Sequence, residues 1–200
     1  MATMEQWQQE HLGTMAGAWV LDLSRSDTMQ RYLEVSGMPA AHAYTHVLAE
    51  RKHGGALNLI HLDETTLTIH KRTYRNNYTE TFELGEEKVT SVTPSRVSIS
   101  TTVSNLGSSS RGYVCLIRNT TSTPERQQNT EVLERRYVTN GGLCHIQEIK
   151  ARSLTTGEEC GIVRTWRRVM MTHEHRATLG LLLVGGGVAE QEEEEKQQQL

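Results

Sequence analysis

The sequence predicts a mainly β fold: a closed up-and-down antiparallel β-barrel of about ten strands, with a helix-turn-helix cap after the first strand. Three observations lead there. Short segments rich in Val, Thr, Ile and Tyr recur at roughly even spacing through the chain of 200 residues. Turn residues punctuate them, and only two helical patterns occur, both between the first strand and the second. Closing such a set removes exposed sheet edges, and a barrel of this size can hold one ligand.

The elements follow in order. Gly17-Ala18-Trp19-Val20-Leu21-Asp22-Leu23 opens the barrel as a short strand. Ser24 to Asp27 are helix-start residues, with Ser26 or Asp27 placed to cap a helix that carries Met29, Tyr32, Leu33 and Val35. Gly37 ends that helix, Pro39 suits the first turn of a second one through Tyr44, Val47 and Leu48, and Gly54-Gly55 stops it. Strands are then expected at 57–62, 65–70, 78–84, 89–92, 96–103, 113–118, 130–138, 143–150 and 161–169. Asn140-Gly141-Gly142 is the hairpin turn between two of the last three. Residues 1–12 read as a flexible segment, 13–170 as the barrel, and 171–200, which end in a Glu/Gln run, as a disordered tail.

Composition narrows the function. Lys plus Arg number 21 against 24 Asp plus Glu, which argues against a general nucleic-acid binder. Cys115, Cys144 and Cys160 are odd in number and lack Cys-x-x-Cys spacing, so neither a disulfide framework nor a zinc site is expected, and a reducing, cytoplasmic setting fits. The polar N-terminus with Glu5 does not read as a secretion signal, and no apolar run reaches the ~20 residues of a membrane span. His173-x-His175 has no third ligand nearby, so no metal is expected. No nucleophile or acid/base pair stands out, so neither a catalytic residue nor a cofactor is expected.

The last strand, Gly161 to Val169, carries the functional signal. Ile162, Arg164 and Trp166 share one face of it. If that face lines the interior, Arg164 is a cation between apolar neighbours and needs an anion to meet it, either an internal carboxylate or a ligand head group. Four pieces in order then resemble the intracellular fatty-acid-binding proteins of the lipocalin-like (calycin) superfamily. They are Gly17-Ala18-Trp19, then Met29 to Leu33 with Val35 and Gly37, then Asn77 through Leu84-Gly85-Glu86-Glu87, and finally Arg164-Thr165-Trp166. The resemblance covers about residues 13–170.

It implies a lipid-binding transport protein, cytoplasmic and monomeric, that encloses a long-chain fatty acid or similar hydrophobic carboxylate. In that family two arginines and a tyrosine meet the carboxylate. Arg164 corresponds to the terminal arginine, and Trp166 stands where a tyrosine is usual. For the second arginine, alternation in Leu133-Glu134-Arg135-Arg136-Tyr137 selects Arg135, which shares a face with Leu133 and with Tyr137, a substitute hydroxyl. The expected ligand contacts are thus Arg135, Tyr137, Arg164 and Trp166. Met29, Tyr32 and Leu33 of the cap form a portal, and the cap makes transient membrane contact. Two alternatives stand beside this: an internal ionic network using Glu80, Glu131 or Glu148, and a barrel with a filled cavity that serves as a protein-interaction or structural module.

Overall fold

Alternation and turn chemistry become ten strands in the computed structural model, which describes residues 14–92, 97–105, 114–121, 129–170, 172, 174 and 175. The strands are β1 (Gly17–Leu21), β2 (Leu57–Leu62), β3 (Thr66–Arg72), β4 (Asn77–Glu83), β5 (Glu87–Val92), β6 (Val97–Asn105), β7 (Val114–Thr121), β8 (Thr130–Thr139), β9 (Cys144–Ser153) and β10 (Glu159–Val169). Two helices, α1 (Gln30–Val35) and α2 (Ala40–His53), lie between β1 and β2. Every neighbouring pair of strands is antiparallel, in the order β4-β3-β2-β1-β10-β9-β8-β7-β6-β5.

The barrel is nearly closed. Its two edges, β4 and β5, meet through local bonds rather than a ladder: Lys88 Nζ of β5 donates to the Thr81 carbonyl of β4 at 2.7 Å, and in the connection between them the Gly85 amide donates to the Val103 carbonyl of β6 at 2.7 Å. Between β8 and β9 the expected turn forms with φ of 52° at Asn140, 60° at Gly141 and 88° at Gly142, a left-handed run that the two glycines accept without steric cost and that Asn tolerates better than most residues. Gly55 answers a different need. A Cβ there would lie 2.5 Å from the Leu21 carbonyl oxygen, so only glycine lets the chain re-enter the sheet beside β1.

The helix-start residues do something other than cap. Asp22 caps a short 3-10 turn, Leu23–Arg25, whereas α1 starts after Met29 with no side-chain cap. Ser26 and Asp27 instead stitch this connection to β10. The Val163 amide donates to Asp27 Oδ2 at 2.8 Å, and the Thr165 amide to Ser26 Oγ at 2.9 Å. Unsatisfied amides on β10 outcompeted those of a one-and-a-half-turn helix for the same oxygens.

Two apolar clusters occupy the interior. The larger, at the end where β1 begins and β10 finishes, contains Met15, Trp19, Ile60, Leu67, Ile69, Phe82, Leu116 and Trp166, among others. The smaller lies under α1 and contains Val35, Val132, Ile149, Ala151 and Ile162, with Met29, Tyr32 and Cys160 packed against it. Each fully buried large apolar side chain contributes about 1.5–3 kcal/mol.

The chain divides into two units, Met1–Val169 and Met170–Leu200. In the second, the Thr172 amide and His175 Nδ1 are 3.3 Å apart, and the His175 amide donates to Thr172 Oγ1 at 3.2 Å. The expected flexible segment 1–12, His173 and nearly all of the expected tail 171–200 lie outside the described residues. No described helix is long and apolar enough to cross a membrane.

Candidate functional site

Strand register builds the site. On the inner wall Arg136 of β8 pairs with Gln147 of β9, and Gln147 pairs with Arg164 of β10, so the two arginines flank one amide in a single cross-strand row. Arg136 is 1% exposed and Arg164 4%. The Trp166 indole N–H, one pleat further along, donates to Gln147 Oε1 at 3.2 Å. Both guanidiniums are enclosed between the two apolar clusters, where an unpaired charge is costly.

Each arginine has a resident carboxylate. Arg164 Nη2 donates to Glu50 Oε1 at 2.5 Å and Nη1 to Glu50 Oε2 at 3.2 Å, a two-pronged pair that reaches from α2 to β10. Arg164 Nη1 also donates to the Asp27 carbonyl at 3.0 Å. Arg136 Nε donates to Glu134, two residues away on the same strand, while Arg136 Nη1 finds no hydrogen-bond partner among the described residues. A buried donor without a partner is uncommon and marks a place where another polar group fits.

Further charges extend this belt around the wall. Lys71 Nζ donates to Glu80 Oε2 at 2.5 Å, and Arg118 Nη2 to the same oxygen at 3.2 Å. Burial alone would raise the Glu134 carboxyl, but Arg136, Arg118 and Lys71 together hold it at about 2. Burial likewise opposes ionisation of Glu80, and Lys71 and Arg118 outweigh it, so its pKa falls. Burial, then the nearby Glu134 carboxylate, raises the Tyr32 phenol, which brings a cap residue to the edge of the belt. One pleat below the arginine row, His145 is fully buried, stacked on Trp166 at 6.2 Å and edge-on to Trp19 at 5.3 Å. Neither of its ring nitrogens has a partner among the described residues, and burial, with Arg136 and Arg168 nearby, pushes its pKa well down.

The expected site residues divide. Arg164 and Trp166 face the interior, as their alternation suggested. Arg135 and Tyr137 do not: Arg135 is exposed, and the half-buried Tyr137 donates its hydroxyl to Glu148 Oε1 at 2.7 Å on the outer wall. The choice between Arg135 and Arg136 failed because Leu133 and Tyr137 made their face look like the interior one. The inner face holds Val132, Glu134 and Arg136, and the Glu134–Arg136 pair neutralises itself well enough to be buried. Of the expected network carboxylates, Glu80 lies in the belt, but the arginines in the row take Glu50 and Glu134. Met29 and Tyr32 sit where α1 covers the smaller cluster, and Leu33 is half-buried beside them.

Sequence reading missed Glu50, Lys71, Arg118, Glu134, Arg136 and Gln147. Alternation from Trp166 across the β9–β10 hairpin to Gln147, and then through the Asn140–Gly142 turn to Arg136, would have found both had the register been known; nothing in the sequence marks Glu50. Among the described residues no group of three or more His, Cys, Asp or Glu could hold a metal ion.

No family model matches the chain, and no curated protein matches it. Solved structures do. Caenorhabditis elegans lipid binding protein 8 aligns with a TM-score of 0.55 and 16% identity, over 84% of this chain and 99% of its own. The Schistosoma mansoni fatty acid binding protein in complex with arachidonic acid aligns at 0.55 and 15%, over 80% and 98%. The fold is that of the fatty-acid-binding proteins. Echinococcus granulosus fatty-acid-binding protein 1 shares it, at a TM-score of 0.54 and 14% identity over 78% of this chain and 97% of its own. At these identities the likeness is one of architecture: a fatty-acid-binding-protein fold whose strands and helix pair match nearly the whole of each relative.

Proposed function

We propose that the protein is a non-catalytic lipid carrier of the fatty-acid-binding-protein family, and that it encloses a long-chain fatty acid or similar hydrophobic anion with the head group at the Arg136–Gln147–Arg164 row. The observation that carries this is Arg136, whose Nη1 is a buried, unsatisfied donor on a permanent cation. A ligand carboxylate supplies what that nitrogen lacks, in a charge-assisted bond. Charge supports the same ligand class. Lys71, Arg118, Arg136 and Arg164 face Glu50, Glu80 and Glu134, so the described belt has one more cation than carboxylates. One monoanionic head group balances it.

Arg136 thus takes the role first expected of Arg135. Trp166 acts through Gln147, holding the amide between the two guanidiniums. Burial of the tail supplies most of the affinity, at about 0.8 kcal/mol per methylene before ordering costs. Met29, Tyr32 and Leu33 form the portal, and the cap is the surface for brief membrane contact. The carrier works as a monomer, without cofactor or nucleic acid, in a reducing cytoplasm where the free thiols of Cys144 and Cys160 persist.

A second reading, a barrel filled by its own side chains and used for protein interaction, draws on Glu50 and Glu134, which already engage the arginines. Titration of the solvent-extracted protein with a fluorescent fatty acid separates the two. Saturable binding that weakens on the order of tenfold or more in the charge-balanced Glu134→Gln/Arg136→Gln variant is expected. An absence of saturable binding would favour the filled barrel, and equal binding by the variant would remove the head-group assignment.

A further inference from the structure

Resting on the reading of the barrel as a carrier of a hydrophobic anion, we infer that Glu50 is a built-in competitor for the ligand's head group, so that binding an anionic lipid releases helix α2 from the barrel. The Glu50 carboxylate engages the Arg164 fork through both oxygens, at 2.5 and 3.2 Å, the geometry a fatty-acid carboxylate would adopt there. With Nη1 also bound to the Asp27 carbonyl, the face of Arg164 that could meet a ligand is taken. A second carboxylate gains that face only if the first one leaves.

The two resident carboxylates differ in how they can leave. Glu134 is fixed beside Arg136 on the same strand, and Arg136 keeps a free nitrogen beside it. Glu50 belongs to a helix that packs chiefly on α1 rather than on the strands. An aromatic contact also attaches it outside the cap: His46 and His53 meet Tyr74 of the β3–β4 turn at 5.8 and 5.5 Å. Gly54, at φ 82°, follows the helix directly. The Glu50–Arg164 pair, with its side chains only 12% and 5% exposed, is therefore the main polar tie between α2 and β10.

The exchange replaces one carboxylate on Arg164 by another. An anionic head group takes the fork as the Glu50 carboxylate turns out to solvent, so Arg164 is never left bare. A neutral lipid of the same length offers no such exchange and leaves the tie intact. Ligand charge, rather than ligand length, is then what the cap detects.

Hydrogen exchange of the α2 amides in the wild-type protein, measured alone, with oleate and with oleyl alcohol, tests this without any substitution. Oleate speeds exchange in α2 and oleyl alcohol does not. In Glu50→Gln the ratio of oleate to oleyl alcohol affinity rises on the order of tenfold, because the competitor has lost its charge. Should that variant fold poorly, the charge-balanced Glu50→Gln/Arg164→Gln pair replaces it, and both lipids then leave α2 exchange equal. Binding of both lipids with an unchanged ratio in Glu50→Gln and unchanged α2 exchange overturns the competitor while sparing the carrier. Saturable binding of neither lipid overturns both.

Discussion

The finish and the middle of β10 handle the same residue type in opposite ways. Near its finish, Arg168 donates to the Gly142, Ala16 and Thr14 carbonyls at 2.6, 2.9 and 2.5 Å and lies 4.1 Å from the Trp19 ring centroid. Backbone oxygens and an indole ring are permanent partners, and burial lowers this guanidinium only to about 10. Four residues earlier, Arg164 is satisfied largely by Glu50, a side chain carried on a helix that rests on another helix. The first arginine ties the sheet to its own chain, whereas the second is paired by something that can be exchanged. The surroundings agree: the larger apolar cluster encloses Trp19 and Trp166 towards the finish, and the polar belt crosses the strand at Arg164, between Trp166 and Ile162.

Substitution at the apolar end should produce the largest effect. Trp19→Ala is expected to cost about 3–5 kcal/mol in urea unfolding, because a fully buried indole leaves a cavity and its N–H bond to the Met15 carbonyl is lost. A loss below about 1 kcal/mol would mean that this end is loosely packed and the contrast with the belt is wrong.

Acid should then separate the two regions by pH. His145 is held neutral, its folded pKa well below the ordinary 6.5, so the unfolded chain takes up the proton first and stability falls as pH drops below about 6.5. His70, lowered by burial and Arg72, acts in the same direction. Glu134 acts lower. Its contribution is complete above its unfolded value of 4.5 and is lost as pH falls towards about 2. Urea midpoints followed from pH 7 to 3 should show both declines, and His145→Phe should flatten the upper one while leaving the lower one in place. An unchanged upper slope in that variant would show that His145 already has a proton-accepting partner.

Much of the architecture was legible because it depends on local signals. Turn glycines, the helix pair after Leu21 and the even spacing of β-rich segments each report on a few neighbouring residues, and together they predict ten strands and a cap. The site was legible only where one strand sufficed. The Ile162-Arg164-Trp166 face needs nothing beyond alternation, whereas Arg136 needs the register of two hairpins, and the apolar Leu133 and Tyr137 pointed to the wrong face. Ser26 and Asp27 look like caps in the sequence because their role at β10 depends on residues more than 130 positions away. Glu50, 114 positions from Arg164, has no local signal at all.

An anionic head group seated at the arginine row reports on that seat directly through its own ionisation. Carbon-13 NMR of oleate labelled at its carboxyl carbon, bound to the solvent-extracted protein and followed through an acid titration, gives the readout. Bound carboxylate that stays ionised well below the ordinary carboxylic-acid range, and titrates at a higher pH in the Glu134→Gln/Arg136→Gln variant, is the expected result. A bound carboxyl that titrates as it does in water in both proteins would place the head group away from Arg136 and Arg164 and contradict the account.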